Sequence, residues 1–154
     1  MGLDSQGGCA RTVLVGRPTP RPEEEHIIES LATAVAAARL ADDKKGVDIR
    51  VLELDRETAI ADYFVIATGL SRPQVKAIQQ EIHLRLKALG RSHSRLEGAE
   101  MGWWTLMDYG DVVVHVMQPE AREYYDLDGL YRSAGEVEWR AVEVPELAVA
   151  RAHG

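Results

Sequence analysis

The feature that most constrains the fold of this chain is an uninterrupted run of apolar, β-prone residues from Tyr63 to Thr68. A strand that is apolar at every position has to be covered on both faces, as central strands of α/β proteins are. Gly69 ends the run, Ser71 is suited to cap a following helix, and Pro73 fits the first turn of that helix. The segment therefore predicts a central strand that leads directly into a helix.

The periodicity of apolar residues on either side completes the predicted architecture. In chain order the predicted elements are a helix that starts at Glu23–Glu25 and stops before Gly46, a strand Val47–Leu54, the strand Tyr63–Thr68, a helix between Ser71 and Gly90, a hairpin of Trp103–Met107 and Asp111–Met117, and a helix Glu120–Leu130. This order predicts an α/β fold with a small mixed sheet of about four strands and helices largely on one face.

The two ends of the chain differ in composition from its middle. Residues 1–22 are rich in glycine, proline and arginine, which predicts a disordered leader. Residues 135–154 are first acidic and then rich in alanine, which predicts a C-terminal tail with Trp139 as its one candidate for packing. The predicted folded domain is therefore residues 23–134.

Charge and cysteine content restrict the partners of the protein. The net charge is −7, with 25 acidic and 18 basic residues, whereas proteins that hold RNA by its phosphates need clustered lysine and arginine. We therefore expect little direct RNA binding and favour a basic protein partner. A single cysteine, Cys9, excludes an intrachain disulfide framework, and no run approaches the roughly 20 apolar residues of a membrane span. These features predict a cytoplasmic protein without membrane contact.

Catalytic and metal-binding patterns are weak in this sequence. It contains no GxxxxGK[ST], GxGxxG or HExxH motif, and its five histidines are scattered without metal-ligand spacing. Thr68–Ser71 could receive an anion at a helix N-terminus, but Asp108 and Asp111 lie across a turn and nothing in their spacing makes them converge on a metal. We predict a non-enzyme without cofactor or metal. A nucleotidyltransferase-like enzyme and a homodimeric scaffold are the alternatives.

Three segments in series carry a resemblance to a known family. They are Asp62–Ser71 running into Gln74–Ile78, then Glu97-Gly98 followed by Trp104 and Asp108–Met117, and then Arg122, Tyr125, Leu127, Asp128, Leu130 and Tyr131. Their order and spacing over residues 27–131 resemble the ribosomal silencing factor (Iojap-like) family. The sequence departs from the family at Pro73, where arginine is usual, at Asp128, where glutamate is commoner, and at Tyr131, where tryptophan is common.

The resemblance implies a fold and a function. The fold would be an α/β topology distantly like that of nucleotidyltransferases, without their chemistry. The function would be translational repression, in which the protein binds ribosomal protein L fourteen on the large ribosomal subunit and sterically blocks joining of the small subunit. Translation would thereby be damped when nutrients are scarce.

Strand alternation locates a candidate interface on the sheet. Val112, Val114 and Val116 should lie under the helices, so the opposite face should present a mixed aromatic and aliphatic patch with a polar rim, as interfaces require. The predicted partner-binding residues are Trp104, Leu106, Asp108, Asp111, Val113, His115, Met117, Arg122, Tyr125 and Tyr131.

Each of these residues also has a structural interpretation. Among them we expect Trp104, Met117 and Tyr125 to be the main anchors, although each of the three, like Tyr131, could instead be core. Asp108, Asp111 and Arg122 would orient the partner, or the acids could be solvated turn residues and Arg122 could pair with Asp126 at i+4. His115, near the centre, could be a hydrogen-bonded structural histidine.

Overall fold

A computed structural model of the chain describes residues 22–55, 57 and 59–143, with side chains from residue 29 onward. Its elements are α1 (Pro22–Asp43), β1 (Val47–Glu53), β2 (Tyr63–Thr68), α2 (Arg72–Ala88), β3 (Arg95–Glu97), β4 (Trp104–Asp108), β5 (Val112–Met117), α3 (Pro119–Tyr125), α4 (Leu127–Leu130) and β6 (Gly135–Val137). The predicted α/β class is confirmed, with six strands in place of about four.

The six strands form one mixed sheet in the order β3-β4-β5-β2-β1-β6. The central strands β2 and β5 run parallel, with Tyr63 opposite Val112 and Thr68 opposite Met117, and every other neighbouring pair is antiparallel. β2 and β5 are buried at every position. The apolar run that predicted a covered central strand therefore occupies the middle of the sheet.

The two long helices, α1 and α2, pack together on one face of the sheet. Four alanines of α1 are completely buried against this face, which allows the helix backbone to approach closely: Ala34, Ala37, Ala38 and Ala41. α2 contributes Val75, Ile78, Ile82 and Leu86, and Ser71 caps it by accepting a hydrogen bond from the Gln74 amide at 3.2 Å. Val112, Val114 and Val116 belong to this helix-covered core, as their alternation predicted.

The opposite face carries a second, smaller core that α3 and α4 cover in part. Phe64, Ile66 and Leu52 are buried there together with Met117 and Leu127. α3 follows β5 directly and α4 follows α3, and each contributes one buried residue, Ala121 and Leu127, to this core over β5, β2 and β1. The β4 strip on this face stays partly exposed, so the outer face is neither fully open nor fully covered.

Two three-residue edge strands and a helix break were not predicted. β3 lies within the polar stretch 91–100, β6 lies in the predicted tail, and the predicted helix Glu120–Leu130 is divided at Asp126, whose φ of 49° and ψ of 52° are left-handed. Residue 134 is therefore not a structural boundary, since β6 pairs with β1 and Trp139 is buried in the helix-side core. The predicted leader, apart from Pro22, and residues 144–154 lie outside the described residues.

Candidate partner-binding surface

The backbone before β4 brings two neighbouring indoles to the outer face. Gly98 has a φ of +78°, and a Cβ at this position would lie 2.0 Å from the Trp104 carbonyl oxygen, so only glycine permits the approach. The backbone N–H of Gln118 donates to the Trp103 carbonyl at 2.9 Å, and the side-chain amide of Gln118 donates to the Gly102 carbonyl at 2.7 Å. The start of β4 is thereby fixed to the start of α3.

Four aromatic side chains meet where β4 and α3 adjoin. The centroid distances are 4.5 Å between Trp104 and Tyr125, 5.7 Å between Trp103 and Tyr125, and 4.9 Å between Tyr124 and Tyr125. Tyr124 is 76% exposed, Tyr125 41% and Trp103 38%, while Trp104 is half-buried. We call these four residues the aromatic surface, and Leu106 extends it along β4 as a partly buried neighbour.

A layer of rings lies beneath the aromatic surface. The Trp104 indole nitrogen donates to Nδ1 of His115 at 3.1 Å, and His115 meets Phe64 edge to face at 4.7 Å. Phe64 in turn meets Tyr131 at 4.9 Å. Burial lowers the pKa of His115 to about 4, so its ring is neutral at neutral pH. This layer supports the exposed rings from the interior of the protein.

Arg122 fixes α3 to the sheet through the hydrogen bonds of its buried side chain. Its guanidinium donates to both carboxylate oxygens of Asp128, at 2.9 and 3.0 Å, and to the hydroxyl of Thr68 at 2.8 Å. It also donates to the Asp48 carbonyl. Asp128 pairs further with Arg50 at 2.6 Å, and the hydrogen bond from Arg122 is the largest cause that lowers the pKa of Asp128, to about 2. Arg122 is thus buried and fully engaged inside the protein.

The two turn acids of the hairpin have separate partners. Asp108 accepts from the Gly110 amide at 2.8 Å within the turn and lies 3.9 Å from Arg95. Asp111 accepts from Ser30 of α1 and from Arg91. Burial raises the pKa of the Asp111 carboxyl, but these hydrogen bonds outweigh it and the pKa lies below its ordinary value. The carboxylates therefore do not converge on a common site.

The structure brings some of the predicted partner-binding residues to the surface and buries others. Trp104, Leu106 and Tyr125 lie together at the surface, Tyr131 is half-buried against Phe64, and Asp108 is half-buried in the turn. The expectation that Val113, His115 and Met117 are presented to a partner is wrong for the free protein. These three side chains are 6%, 3% and 0% exposed because α3, α4 and Trp104 pack over them.

Two of the predicted orienting charges also require correction. Arg122 is internal and pairs with Asp128, across the helix break, in place of Asp126. Asp111 contacts α1 on the helix side of the sheet, since β5 begins only at Val112 and the alternation of that strand does not extend to the residue before it.

Sequence reasoning missed Trp103 and Tyr124, which are exposed members of the aromatic surface. Trp103 lies just before β4, which starts at Trp104, so the alternation of side chains along the strand does not predict its face. Tyr124 directly precedes Tyr125, and the pair of adjacent tyrosines was the available signal.

The described part of the chain contains no group of three or more histidine, cysteine, aspartate or glutamate side chains placed to hold a metal ion. Within the same residues, no helix has the length and apolarity needed to cross a membrane.

Comparisons with known proteins agree with this architecture. A family model described as "Ribosomal silencing factor during starvation" matches residues 26–153, which include the whole aromatic surface. A ribosomal silencing factor from Chromobacterium violaceum is 42% identical over 95 residues, 62% of this chain and 78% of that protein. A mouse protein named for mitochondrial assembly of the ribosomal large subunit is 33% identical over 87 residues, 54% of this chain and 38% of the mouse protein.

A solved structure shares the fold. The crystal structure of a protein from Chromobacterium violaceum superposes with a TM-score of 0.62 and 35% sequence identity, covering 76% of this chain and 98% of the other. The similarity therefore extends from the sequence to the arrangement of the sheet and helices.

Proposed function

The chain belongs to the family of ribosomal silencing factors, and on this premise we propose that it represses translation by binding the large ribosomal subunit through ribosomal protein L fourteen. In this proposal the bound protein stands where the small subunit would join, so that translation is damped when nutrients are limiting. The protein acts in the cytoplasm by steric exclusion, which requires neither catalysis nor a cofactor.

The observation that carries the proposal is the aromatic surface. Tryptophan and tyrosine are the residue types most often found as energetic anchors of interfaces, where truncation of one costs about 2 kcal/mol or more. In this protein four of them are adjacent, partly exposed and held by an internal layer of rings and by Arg122. A rigid apolar cluster of this kind loses little conformational freedom on binding, which favours affinity.

The charges near the aromatic surface support a basic protein partner. Glu120 and Glu123 lie exposed on α3 beside the tyrosines, and the whole chain carries a net charge of −7. Arg122, in the same helix, is buried and already paired, so it is not available to bind phosphate. Contact with a ribosomal protein therefore suits this surface better than contact with ribosomal RNA.

The anchor role can be tested with the most exposed ring of the surface. We expect Tyr124→Ala to weaken co-sedimentation with purified large subunits by roughly tenfold or more, since it truncates an anchor without opening a core cavity. Leu84→Ala is the matched control, because Leu84 is 61% exposed on α2, on the other side of the sheet. Equal binding by the Tyr124 variant and the wild type would remove this surface from the proposal.

The partner and the mechanism need separate measurements. A pull-down with the chain as bait should recover ribosomal protein L fourteen from dissociated large subunits, and recovery of other ribosomal proteins alone would reject the named partner. Light scattering of mixed subunits should show less joining when the wild-type chain is added and normal joining with the Tyr124 variant. Binding to large subunits without any effect on joining would reject steric exclusion.

A further inference from the structure

Trp104, a member of the aromatic surface, has its polar atom turned inward. Its indole N–H donates to Nδ1 of His115 at 3.1 Å, and the two rings lie 5.9 Å apart with an angle of 36° between them. His115 is 3% exposed and is enclosed on its other side by Phe64. The contact is therefore partly buried, and a hydrogen bond removed from water is stronger, and costs more to lose, than one at the open surface.

The protonation state of His115 determines which group donates in this hydrogen bond. Burial keeps the imidazole neutral at neutral pH, as its lowered pKa shows. Because Nδ1 accepts the bond from the indole, the single ring proton resides on Nε2, which has no hydrogen-bond partner among the described residues. The only specific polar contact of the His115 ring in this part of the chain is thus the one to Trp104.

We propose that His115 is a positioning residue for the partner-binding surface, which fixes the indole of Trp104 through Nδ1 without touching the partner itself. This inference rests on the proposed function, since it concerns the same surface. A half-buried indole whose N–H is free would turn that group toward water or toward an acceptor. With the N–H held inside, the exposed portion of Trp104 is apolar carbon and π-face beside Tyr125.

The position of the indole predicts the chemistry of the group that meets it. An apolar ring face without a free donor suits an aliphatic side chain or the stem and charge of a lysine or arginine. It does not suit a carbonyl or phosphate oxygen, which would require the donor that His115 has already engaged. The inference therefore narrows the partner contact at Trp104 to an aliphatic or cationic side chain.

A double-mutant cycle tests the positioning role. His115→Phe retains a buried ring but removes the acceptor, and we expect affinity for large subunits to fall by roughly tenfold, as for loss of an anchor. His115→Asn places an amide oxygen near the position of Nδ1 and should bind within about threefold of wild type. In a Trp104→Phe background, which has no indole N–H, His115→Phe should cause no further loss.

The hydrogen bond can also be observed without any partner. The chain has three tryptophans, so the indole N–H signal of Trp104 can be assigned by NMR from its disappearance in Trp104→Phe. We expect this N–H to exchange slowly with solvent in the wild type and in His115→Asn, and at least about tenfold faster in His115→Phe. If His115→Phe does not fold, His115→Gln, which places its amide near Nε2 instead, provides the same contrast.

Several results would overturn the positioning role. Wild-type binding by His115→Phe, an equal loss of affinity in the Trp104→Phe background, or rapid exchange of the indole N–H in the wild type would each contradict it. If the wild-type chain does not bind large subunits at all, the proposed function fails and the positioning role fails with it. If the wild type binds and only the His115 variants behave contrary to expectation, the proposed function stands alone.

Discussion

Arg122, which is buried, and Asp128, which is half-buried, form an ion pair that holds α3 on the sheet. Breaking such a pair by removing one charge is costly, because the remaining charge stays buried without full compensation. We expect Asp128→Asn to lower the free energy of unfolding by about 2 kcal/mol in urea melts at pH 7. Glu138→Gln is the control, since this exposed side chain should change stability by less than about 0.5 kcal/mol.

His115 predicts a dependence of stability on pH. Its pKa is about 4 in the folded protein and about 6.5 in an unfolded chain. As pH falls below 6.5 the unfolded chain takes up a proton that the folded protein refuses, so stability decreases until about pH 4 and this contribution then levels off. Over that range the loss from His115 is about 3 kcal/mol.

The pH effect is measured as the difference between wild type and His115→Asn in urea melts at pH 7, 5 and 4. This subtraction is needed because the pKa of His83 is also lowered, chiefly by burial. His83 therefore also decreases stability as the pH falls. A constant difference between the two proteins across this range would contradict the assigned protonation state.

At the scale of elements, the break between α3 and α4 depends on Asp126. This residue is left-handed, its backbone N–H closes α3 on the Arg122 carbonyl at 2.9 Å, and its carboxylate caps α4 by accepting from Gly129 at 3.0 Å. Asparagine tolerates the left-handed region and can cap, whereas alanine does neither. We expect Asp126→Ala to cost about 1–2 kcal/mol of stability and Asp126→Asn to cost less than about 0.5 kcal/mol, measured by urea unfolding. Equal stability of the two variants would show that the break is set elsewhere.

The elements that the sequence predicts well are those with a pattern of their own. Tyr63–Thr68 is a strand at the expected bounds because each of its residues is apolar and β-prone. β3 and β6 escaped prediction because three residues are too few to show alternation, and both strands exist only through their pairing with β4 and β1. Asp126 gave no breaker signal of the kind that glycine or proline gives.

The sequence predicted on which face of the sheet the candidate site lies, but not which residues of that face are exposed. Alternation correctly separated Val114 from His115, but whether a residue on the outer face is exposed depends on what packs over it. α3 covers His115 and Met117 and leaves Trp104 at its margin. That outcome follows from the hydrogen bonds of Arg122 to Thr68 and Asp48, which lie 54 and 74 positions earlier in the chain. Contacts between such distant positions produce no periodic pattern in the sequence.

At the scale of the whole molecule, the net charge of −7 predicts how binding responds to salt. A negatively charged protein that approaches a basic protein partner is steered by opposite potentials, and added salt screens this attraction beyond a Debye length, which is about 8–10 Å at 0.1–0.15 M ionic strength. We expect the association rate with the proposed partner, isolated ribosomal protein L fourteen, to fall about threefold or more between 50 and 300 mM salt, with a smaller change in the dissociation rate. A rate that is independent of salt would indicate that the apolar contacts alone guide the encounter.

The packing of the C-terminal segment has a consequence for how the protein is made. Trp139 donates to the Ile49 carbonyl across 90 positions of the chain, and Arg39 donates to the Val142 carbonyl across 103 positions. Translation delivers α1 and β1 early, whereas β6 and Trp139, which complete the edge of β1, follow much later in the chain. A nascent chain therefore carries an unpaired edge on β1 until β6 has been synthesised and has left the exit tunnel. The sheet therefore cannot be completed by the first half of the chain, and its edge strand forms only when this late segment becomes available.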